Sequence, residues 1–174
     1  MPTAATVYIS ESNGAGEVVT DNITNMSFGS LDAPNLVASD HPVILGEYPY
    51  IKYFRFKVQS LGDSTTIKDL RYWKSAGTYV TGEGIFQIAR YIDTVVYATP
   101  VQTAIGGFAA AMPTSDPGVP MVGIVGSDQN GVINAGTPVP AYSNYFKMVT
   151  HSNAITTPAG PANTKTMLLQ YDET

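Results

Sequence analysis

The chain of 174 residues contains no cysteine. Disulfide bonds and thiolate metal sites are therefore excluded, and the fold has to be stabilised by packing. A chain of this length buries roughly 70% of the surface that it exposes when unfolded, which is enough for a substantial core. We predict a single domain over residues 1–174, with residues 1–5 as a loose N-terminal arm.

Charged residues are also scarce. They make up 13% of the chain, about half the usual ~25%, and the net charge is −5. This balance argues against a nucleic-acid partner, which would require a basic surface. The sequence contains no apolar run of the ~18 residues that span a membrane, so we expect no membrane association. The first residues lack a basic region followed by an apolar run, so we expect no secretory signal.

Long helices are disfavoured because 16 glycines and 12 prolines interrupt the chain. The most regular stretch is 50–58. From Lys52 onward it alternates: Phe54 and Phe56 point to one side, and Arg55 and Lys57 point to the other. A period of two with aromatic and β-branched residues is typical of a strand with one buried face. We therefore predict that this stretch is the central strand of a β-sandwich.

Shorter segments of similar character follow along the whole chain, separated by glycine, proline and asparagine turns. They predict an all-β fold, an antiparallel β-sandwich with a jelly-roll-like arrangement of eight to ten short strands and long Gly/Pro-rich loops. Two segments stay open: 85–91 fits either a strand or a helical turn, and 106–112 fits either a closely packed strand or a loop. The other predicted strands are 5–10, 18–20, 67–73, 94–98, 121–125, 132–134, 144–150 and 166–171.

Motifs that carry chemistry are missing. The sequence has two separate histidines, His41 and His151, and neither a Gly-x-Ser-x-Gly motif nor a phosphate-binding loop. Its carboxylates are scattered and mostly lie beside turn residues, where aspartate commonly caps a turn. We therefore predict a protein that is not an enzyme, with no catalytic residue, cofactor site or metal site. A hydrolase whose carboxylates meet only in the folded chain stays open as a low-ranked alternative.

The charges are unevenly distributed. Seven of the nine basic residues lie between Lys52 and Arg90, whereas the chain beyond Thr94 carries only six charged residues. The weakly charged half is either covered by a partner or solvated by neutral Thr, Ser and Asn. We expect 67–73 to pair with the central strand. A basic stripe on the outer face of these two strands is then a candidate partner contact, formed by Lys52, Arg55, Lys57, Arg71 and Trp73. Alternatively, its charges pair with Asp63, Asp69 and Glu47 of the chain itself.

Several stretches in this order resemble a group of virion structural proteins of tailed bacteriophages. The resemblance covers nearly the whole chain. It is carried by Asn25-Met26-Ser27-Phe28-Gly29-Ser30, Pro34-Asn35-Leu36, the aromatic and basic strand 50–58, Ile67-Lys68-Asp69-Leu70-Arg71-Tyr72-Trp73-Lys74, Ala111-Met112-Pro113-Thr114-Ser115-Asp116-Pro117-Gly118 and Leu169-Gln170-Tyr171-Asp172-Glu173.

The resemblance implies a capsid decoration (cement) protein that binds and stabilises a phage capsid. Its partners would be the major capsid protein and further copies of itself, as a homo-oligomer on the particle. Its location would be the virion, assembled in the host cytoplasm. Two alternatives stay open: a protein of the tail or neck, and a carbohydrate-binding module for host attachment, in which Trp73 and surface tyrosines would stack on sugar rings.

Overall fold

Antiparallel β-strands form every regular element in the part of the chain that the structure describes. The computed structural model describes residues 2–37, 39–44, 46–77, 90–94, 96–103, 110–119, 124–125, 133–136, 138–149 and 166–174. Within these ranges all strand pairs are antiparallel and helices are absent. The predicted all-β antiparallel class is confirmed, while the jelly-roll order stays a prediction.

Eleven strands are present in the described residues. Most of them are short, as the frequent turn residues predicted. In chain order they are β1 Thr6–Asn13, β2 Val18–Thr20, β3 Lys52–Ser60, β4 Thr66–Ala76, β5 Arg90–Thr94, β6 Ala110–Ala111, β7 Ile124–Val125, β8 Ile133–Asn134, β9 Ala141–Ser143, β10 Tyr145–Val149 and β11 Thr166–Glu173.

The larger sheet is centred on β3. Its strand order is β2-β1-β3-β10-β5-β6, and β9 continues beside β3 and joins β7. Thus β1 occupies one edge of β3, and β9 with β10 shares the other edge. Phe54, Phe56 and Val58 are almost fully buried on one face of β3. The central position predicted for this stretch is therefore confirmed.

The smaller sheet has the order β11-β4-β8. The prediction that 67–73 pairs with the central strand is wrong, because β4 hydrogen-bonds to β11 and β8. Both β3 and β4 carry one strongly apolar face, and the two faces bury each other when the strands stack in separate sheets. The rings of Phe56 and Tyr72 meet across this interface with centroids 6.2 Å apart.

The hydrophobic core lies between the two sheets. Its main cluster joins side chains from both sheets, and a second cluster continues it towards the turn between β3 and β4. Each fully buried large side chain contributes roughly 1.5–3 kcal/mol of hydrophobic stabilisation. The main cluster contains Ile23, Phe54, Phe56, Leu70, Tyr72, Met112 and Met148, and the second contains Ala5, Val58, Ile67, Ile133 and Ala141.

A β-bulge in β4 interrupts the simple alternation. Opposite β11, Arg71 pairs with Gln170 and Lys68 pairs with Asp172, so β4 has one extra residue in this interval. Asp69 lies there in the left-handed region, with φ of 54°. The extra residue allows Ile67 and Leu70, three positions apart, to face the same core. A strict period of two cannot place both residues inside.

Other predicted elements differ in their bounds. The first strand continues to Asn13, beyond the predicted 5–10, and the predicted strand 94–98 is wrong, because β5 ends at Thr94 and residues 96–98 form no strand. Tyr97 instead turns onto the outer face of the larger sheet, where its ring contacts Tyr53 and Tyr145. Most of the ambiguous segment 85–91 lies outside the described residues, as do 121–123 and 132.

The N-terminal segment is docked where the sequence predicted a loose arm. Thr3 N donates to Asp63 Oδ2 at 2.6 Å, and Asp63 N donates to Thr3 O at 2.8 Å. Ala5 is buried in the second core cluster. Gly62, in the turn between β3 and β4, allows this approach because a Cβ there would lie 2.1 Å from Thr3 O.

This close approach predicts different costs for two glycine substitutions. Gly62 and Gly14 both have positive φ, 61° and 72°, but a Cβ on Gly14 meets no described atom within 4 Å. Gly14→Ala should lower the free energy of unfolding by about 1 kcal/mol through backbone strain alone. Gly62→Ala should lower it by about 2–4 kcal/mol, because the docked segment is also displaced. Urea denaturation of both variants measures the difference, and equal losses would contradict the docking of residues 3–4.

Candidate functional site

The five residues predicted to form one basic stripe lie in three different environments. Arg55 and Lys57 lie on the outer face of the larger sheet, and Arg71 lies on the outer face of the smaller sheet. Lys52 and Trp73 are buried, with 0% and 7% of their surface exposed. The prediction of one continuous stripe is therefore wrong. A continuous stripe requires β3 and β4 to be neighbours in one sheet, whereas they belong to opposing sheets.

Lys52 lies inside the protein. Two residues before Phe54 on β3, it points to the same face and continues the row of buried side chains. Its Nζ lies 2.7 Å from Glu11 Oε1 and donates to Ala33 O at 2.8 Å. Because both charged side chains are at most 1% exposed, Lys52 is inaccessible to a partner.

Glu11, Asn13 and Lys52 form a buried polar cluster at this end of the core. Asn13 Nδ2 donates to Glu11 Oε1 at 2.8 Å and to Asp32 Oδ1 at 2.7 Å. Burial raises the pKa of the Glu11 carboxyl, and the positive charge of Lys52 opposes this rise. The cluster closes the core with polar groups that bind one another, which limits the cost of desolvating them.

Arg55 and Lys57 pair with tyrosine rings and with acids from the β2 region. The Arg55 guanidinium lies 4.2 Å from the Tyr142 ring centroid, 4.7 Å from the Tyr145 ring centroid and 3.7 Å from Glu17 Oε1. Lys57 forms an ion pair with Asp21. Positive charge on this face is therefore balanced locally, and the guanidinium gains cation–π stabilisation from the rings.

Two opposing effects act on the pKa of the Asp21 carboxyl. Burial acts to raise its pKa, but hydrogen bonds from Lys57 and Ser10 outweigh burial and lower the pKa. Ser10 Oγ donates to Asp21 Oδ1 at 2.7 Å. The carboxylate therefore stays ionised and holds the segment after β2 against β1 and β3.

Three tyrosines form a cluster on the same outer face. The Tyr53 ring centroid lies 5.0 Å from that of Tyr97 and 6.0 Å from that of Tyr145. The Tyr97 hydroxyl donates to Gly14 O at 2.5 Å, and the Tyr145 hydroxyl donates to Glu17. Burial raises the pKa of both hydroxyls to about 12; the negative charges of Asp32 and Glu17 add to the rise at Tyr97, and the hydrogen bond to Glu17 adds to it at Tyr145. Through their ring contacts and hydroxyl groups, these tyrosines attach the segment 96–103 to the hairpin between β1 and β2.

Arg71 and Trp73 belong to the smaller sheet. Arg71 Nη2 lies 2.9 Å from Asp172 Oδ1, and its Nε lies 3.7 Å from Asp116 Oδ1. The predicted role of Trp73 as a stacking surface for sugar rings is contradicted by its burial. A tryptophan that is 7% exposed has no open ring face large enough for a pyranose ring.

A surface that the sequence did not indicate lies at the end of the sandwich where β1 ends and β3 begins. Three connections meet there: Asp32 Oδ2 accepts from Gly14 N at 2.7 Å, and Val101 O accepts from Ile51 N at 3.0 Å. These connections, together with the adjoining first residue of β2, carry six of the nine large apolar side chains that are exposed in the described residues. We call this set the apolar end: Val18, Leu31, Val37, Ile44, Val96 and Val101.

The described residues bring together no group of three His, Asp or Glu side chains that could hold a metal. His41 lies in the connection between β2 and β3, where its carbonyl accepts from Ser30 N. His151 lies outside the described residues. In the part of the chain that the structure describes, no helix has the length and apolar character needed to cross a membrane.

Comparison of the chain with protein families, with curated proteins and with solved structures found no match. Two surfaces of the described residues are candidates for contact with a partner: the cationic and aromatic face around Arg55, whose charges are balanced locally, and the apolar end.

The tyrosine cluster predicts a loss of stability in alkaline solution. In the folded protein the pKa values of Tyr97 and Tyr145 are about 12, against 10.0 for a free tyrosine. The folded protein therefore keeps these two protons at pH values where the unfolded chain loses them. The free energy of unfolding should therefore be unaffected by these groups below pH 10 and should fall as the pH rises from 10 through 12.

Urea denaturation across this pH range checks the slope. Tyr145→Phe should make the decline shallower. Ile51→Val, in the same apolar cluster, removes no ionisable group and should leave the slope unchanged. A Tyr145→Phe variant whose decline matches that of the unmodified chain would contradict the assignment.

Proposed function

We propose that this chain is a non-enzymatic structural protein that attaches to a larger particle through its apolar end. In line with the resemblance to phage virion proteins, the particle is a phage capsid and the chain acts as a decoration protein. Its partners are the major capsid protein and neighbouring copies of itself, and its location is the virion.

The observation that carries the proposal is that six of the nine exposed large apolar side chains of the described residues lie on, or next to, three connections that contact one another. The six residues of the apolar end are each between 42% and 66% exposed. Single exposed aliphatic residues are normal on any surface, but a set on three adjoining connections is typical of a binding surface. Its burial would stabilise a complex by about 25 cal/mol for each Å² of apolar area removed from water.

Repetition on a symmetric particle adds to this effect. A contact that is weak for one copy becomes strong when neighbouring copies also contact each other, because the second contact forms within one assembly. A low content of charge helps, since few charged groups have to lose their water when surfaces meet. Both features support attachment to a repeating surface.

The described acids support a binding role over hydrolase activity. Glu11 pairs with Lys52, Asp21 pairs with Lys57, and Asp172 pairs with Arg71. A glycosidase needs two carboxyl groups that face each other across an open cleft. Because each of these three carboxylates is paired with a cation, none of them faces a second carboxyl group across an open cleft.

Carbohydrate binding has less support than attachment to a particle. Its main candidate residue, Trp73, is buried, and the Tyr142 ring is already covered by the Arg55 guanidinium. Attachment to a tail or neck differs from capsid decoration only in the particle surface that the chain would contact. Electron microscopy of particles that carry the protein distinguishes head, neck and tail.

Two double variants test the role of the apolar end. Ile44→Ser with Val101→Ser changes the proposed contact, and Val119→Ser with Val139→Ser changes two similarly exposed residues outside it. We expect the first pair to weaken binding to bare capsids at least tenfold, about 1.4 kcal/mol, because apolar contact area is lost. The second pair should bind as the unmodified chain does.

Cosedimentation with capsids gives the affinities, and the temperature of capsid disruption gives the stabilising effect. The unmodified chain and the control should raise that temperature, and the apolar-end variant should not. Equal binding by both double variants would contradict the role of the apolar end. No binding to any capsid by the unmodified chain would contradict decoration.

A further inference from the structure

Lys52 and Asn13 are neighbours on adjacent strands. In the ladder between β1 and β3, Glu11 pairs with Phe54 and Ser12 pairs with Tyr53. The next position of the antiparallel register therefore brings Asn13 opposite Lys52. Both side chains point into the core, where Asn13 is 6% exposed and Lys52 is 0% exposed. An amine and a carboxamide thus face each other in a water-poor environment.

Glu11 contacts both groups through one oxygen. Its Oε1 lies 2.7 Å from Lys52 Nζ and accepts from Asn13 Nδ2 at 2.8 Å. The carboxylate is therefore placed to take a proton from one nitrogen and to pass it to the other. Asn13 Oδ1 is buried and has no hydrogen-bond partner among the described residues. A buried carbonyl oxygen without a donor is unfavourable in a folded protein and calls for an explanation.

We propose that these three residues form an intramolecular amide bond between Lys52 Nζ and Asn13 Cγ, with Glu11 as the acid–base group. The bond would form once the chain has folded. It would join β1 covalently to β3, its neighbour in the larger sheet. Nothing besides the chain itself takes part.

The step balances in atoms and protons. Lys52 Nζ gives a proton to Glu11, and the neutral amine attacks Asn13 Cγ, so that a tetrahedral intermediate forms. Glu11 then returns this proton to Asn13 Nδ2 and accepts the second proton that Lys52 Nζ loses. The bond between Cγ and Nδ2 breaks, ammonia takes up the second proton from Glu11 and leaves as ammonium, and the new Cγ–Nζ amide remains. No electron is exchanged with an external oxidant or reductant.

The surroundings favour this sequence of transfers. Burial raises the pKa of Glu11, so its carboxyl form is accessible as a proton carrier. The 2.7 Å contact with Lys52 allows direct proton transfer, and the resulting neutral pair contains no buried charge. Proximity on paired strands replaces a bimolecular encounter. Asp32 Oδ1 accepts from Asn13 Nδ2 at 2.7 Å and fixes the orientation of the amide.

Mass spectrometry of the intact, folded chain is the first test. Loss of ammonia lowers the mass by about 17 Da relative to the sequence. The same loss arises if Asn13, which precedes Gly14, cyclises to a succinimide. Cleavage after glutamate distinguishes the amide from the succinimide, because Glu17 and Glu47 lie between Asn13 and Lys52 in the sequence. Only the amide keeps the fragment with Asn13 joined to the fragment with Lys52.

Two variants and one control define the chemistry. Glu11→Gln should retain the full sequence mass and give separate fragments, because the proton carrier is lost. Asn13→Asp should lose water, about 18 Da, and should still give joined fragments. Lys57→Met removes a lysine from the outer face of the same strand and should leave the cross-link intact. Circular dichroism confirms that each sample is folded.

Mass and fragment measurements on the unmodified chain alone are sufficient to overturn the proposal. If the folded chain has its full sequence mass, or if its fragments separate after cleavage, the bond does not form. A cross-link to Asp32 in place of Asn13 would also refute the assignment. Joined fragments from Glu11→Gln would overturn the role of Glu11.

Discussion

The structure depends on the burial of one face of β3 from Lys52 to Val58. Phe54, Phe56 and Val58 are each at most 1% exposed, and no single neighbouring strand can cover them. The cover comes from β4 in the opposing sheet, where Leu70 and Tyr72 form the matching surface. The other strands extend the two sheets around this contact. The chain therefore places β3 and β4 in different layers although they follow each other in sequence.

The same face of β3 also explains the buried polar cluster. Lys52 continues the inward row at the strand's first residue, so its charge needs a partner inside the protein, and β1 supplies Glu11. Such a pair contributes little net stability compared with apolar residues of the same size. It does select the register, because a slip of one residue between β1 and β3 would separate the two charges.

Part of this structure could be predicted from the sequence. The alternation from Lys52 onward identifies β3 and its two faces, since period and burial follow from the same backbone geometry. The partner of β4 could not be predicted in this way. A strand with one apolar face can pair with β3 in the same sheet or pack against it from the opposing sheet, and the alternation is the same in both cases. The bulge at Asp69 and the docking of Thr3 arise from contacts between distant segments. The apolar end is assembled from three separate connections, so no local pattern reveals it.

The stacking of β3 on β4 is tested most directly by nuclear Overhauser effects in the folded chain. The account predicts contacts between the rings of Phe56 and Tyr72, whose centroids lie 6.2 Å apart. It also predicts backbone contacts between paired residues of β1 and β3, such as Ser10 with Arg55. A ladder of backbone contacts between β3 and β4 would contradict the account, because it would place both strands in one sheet.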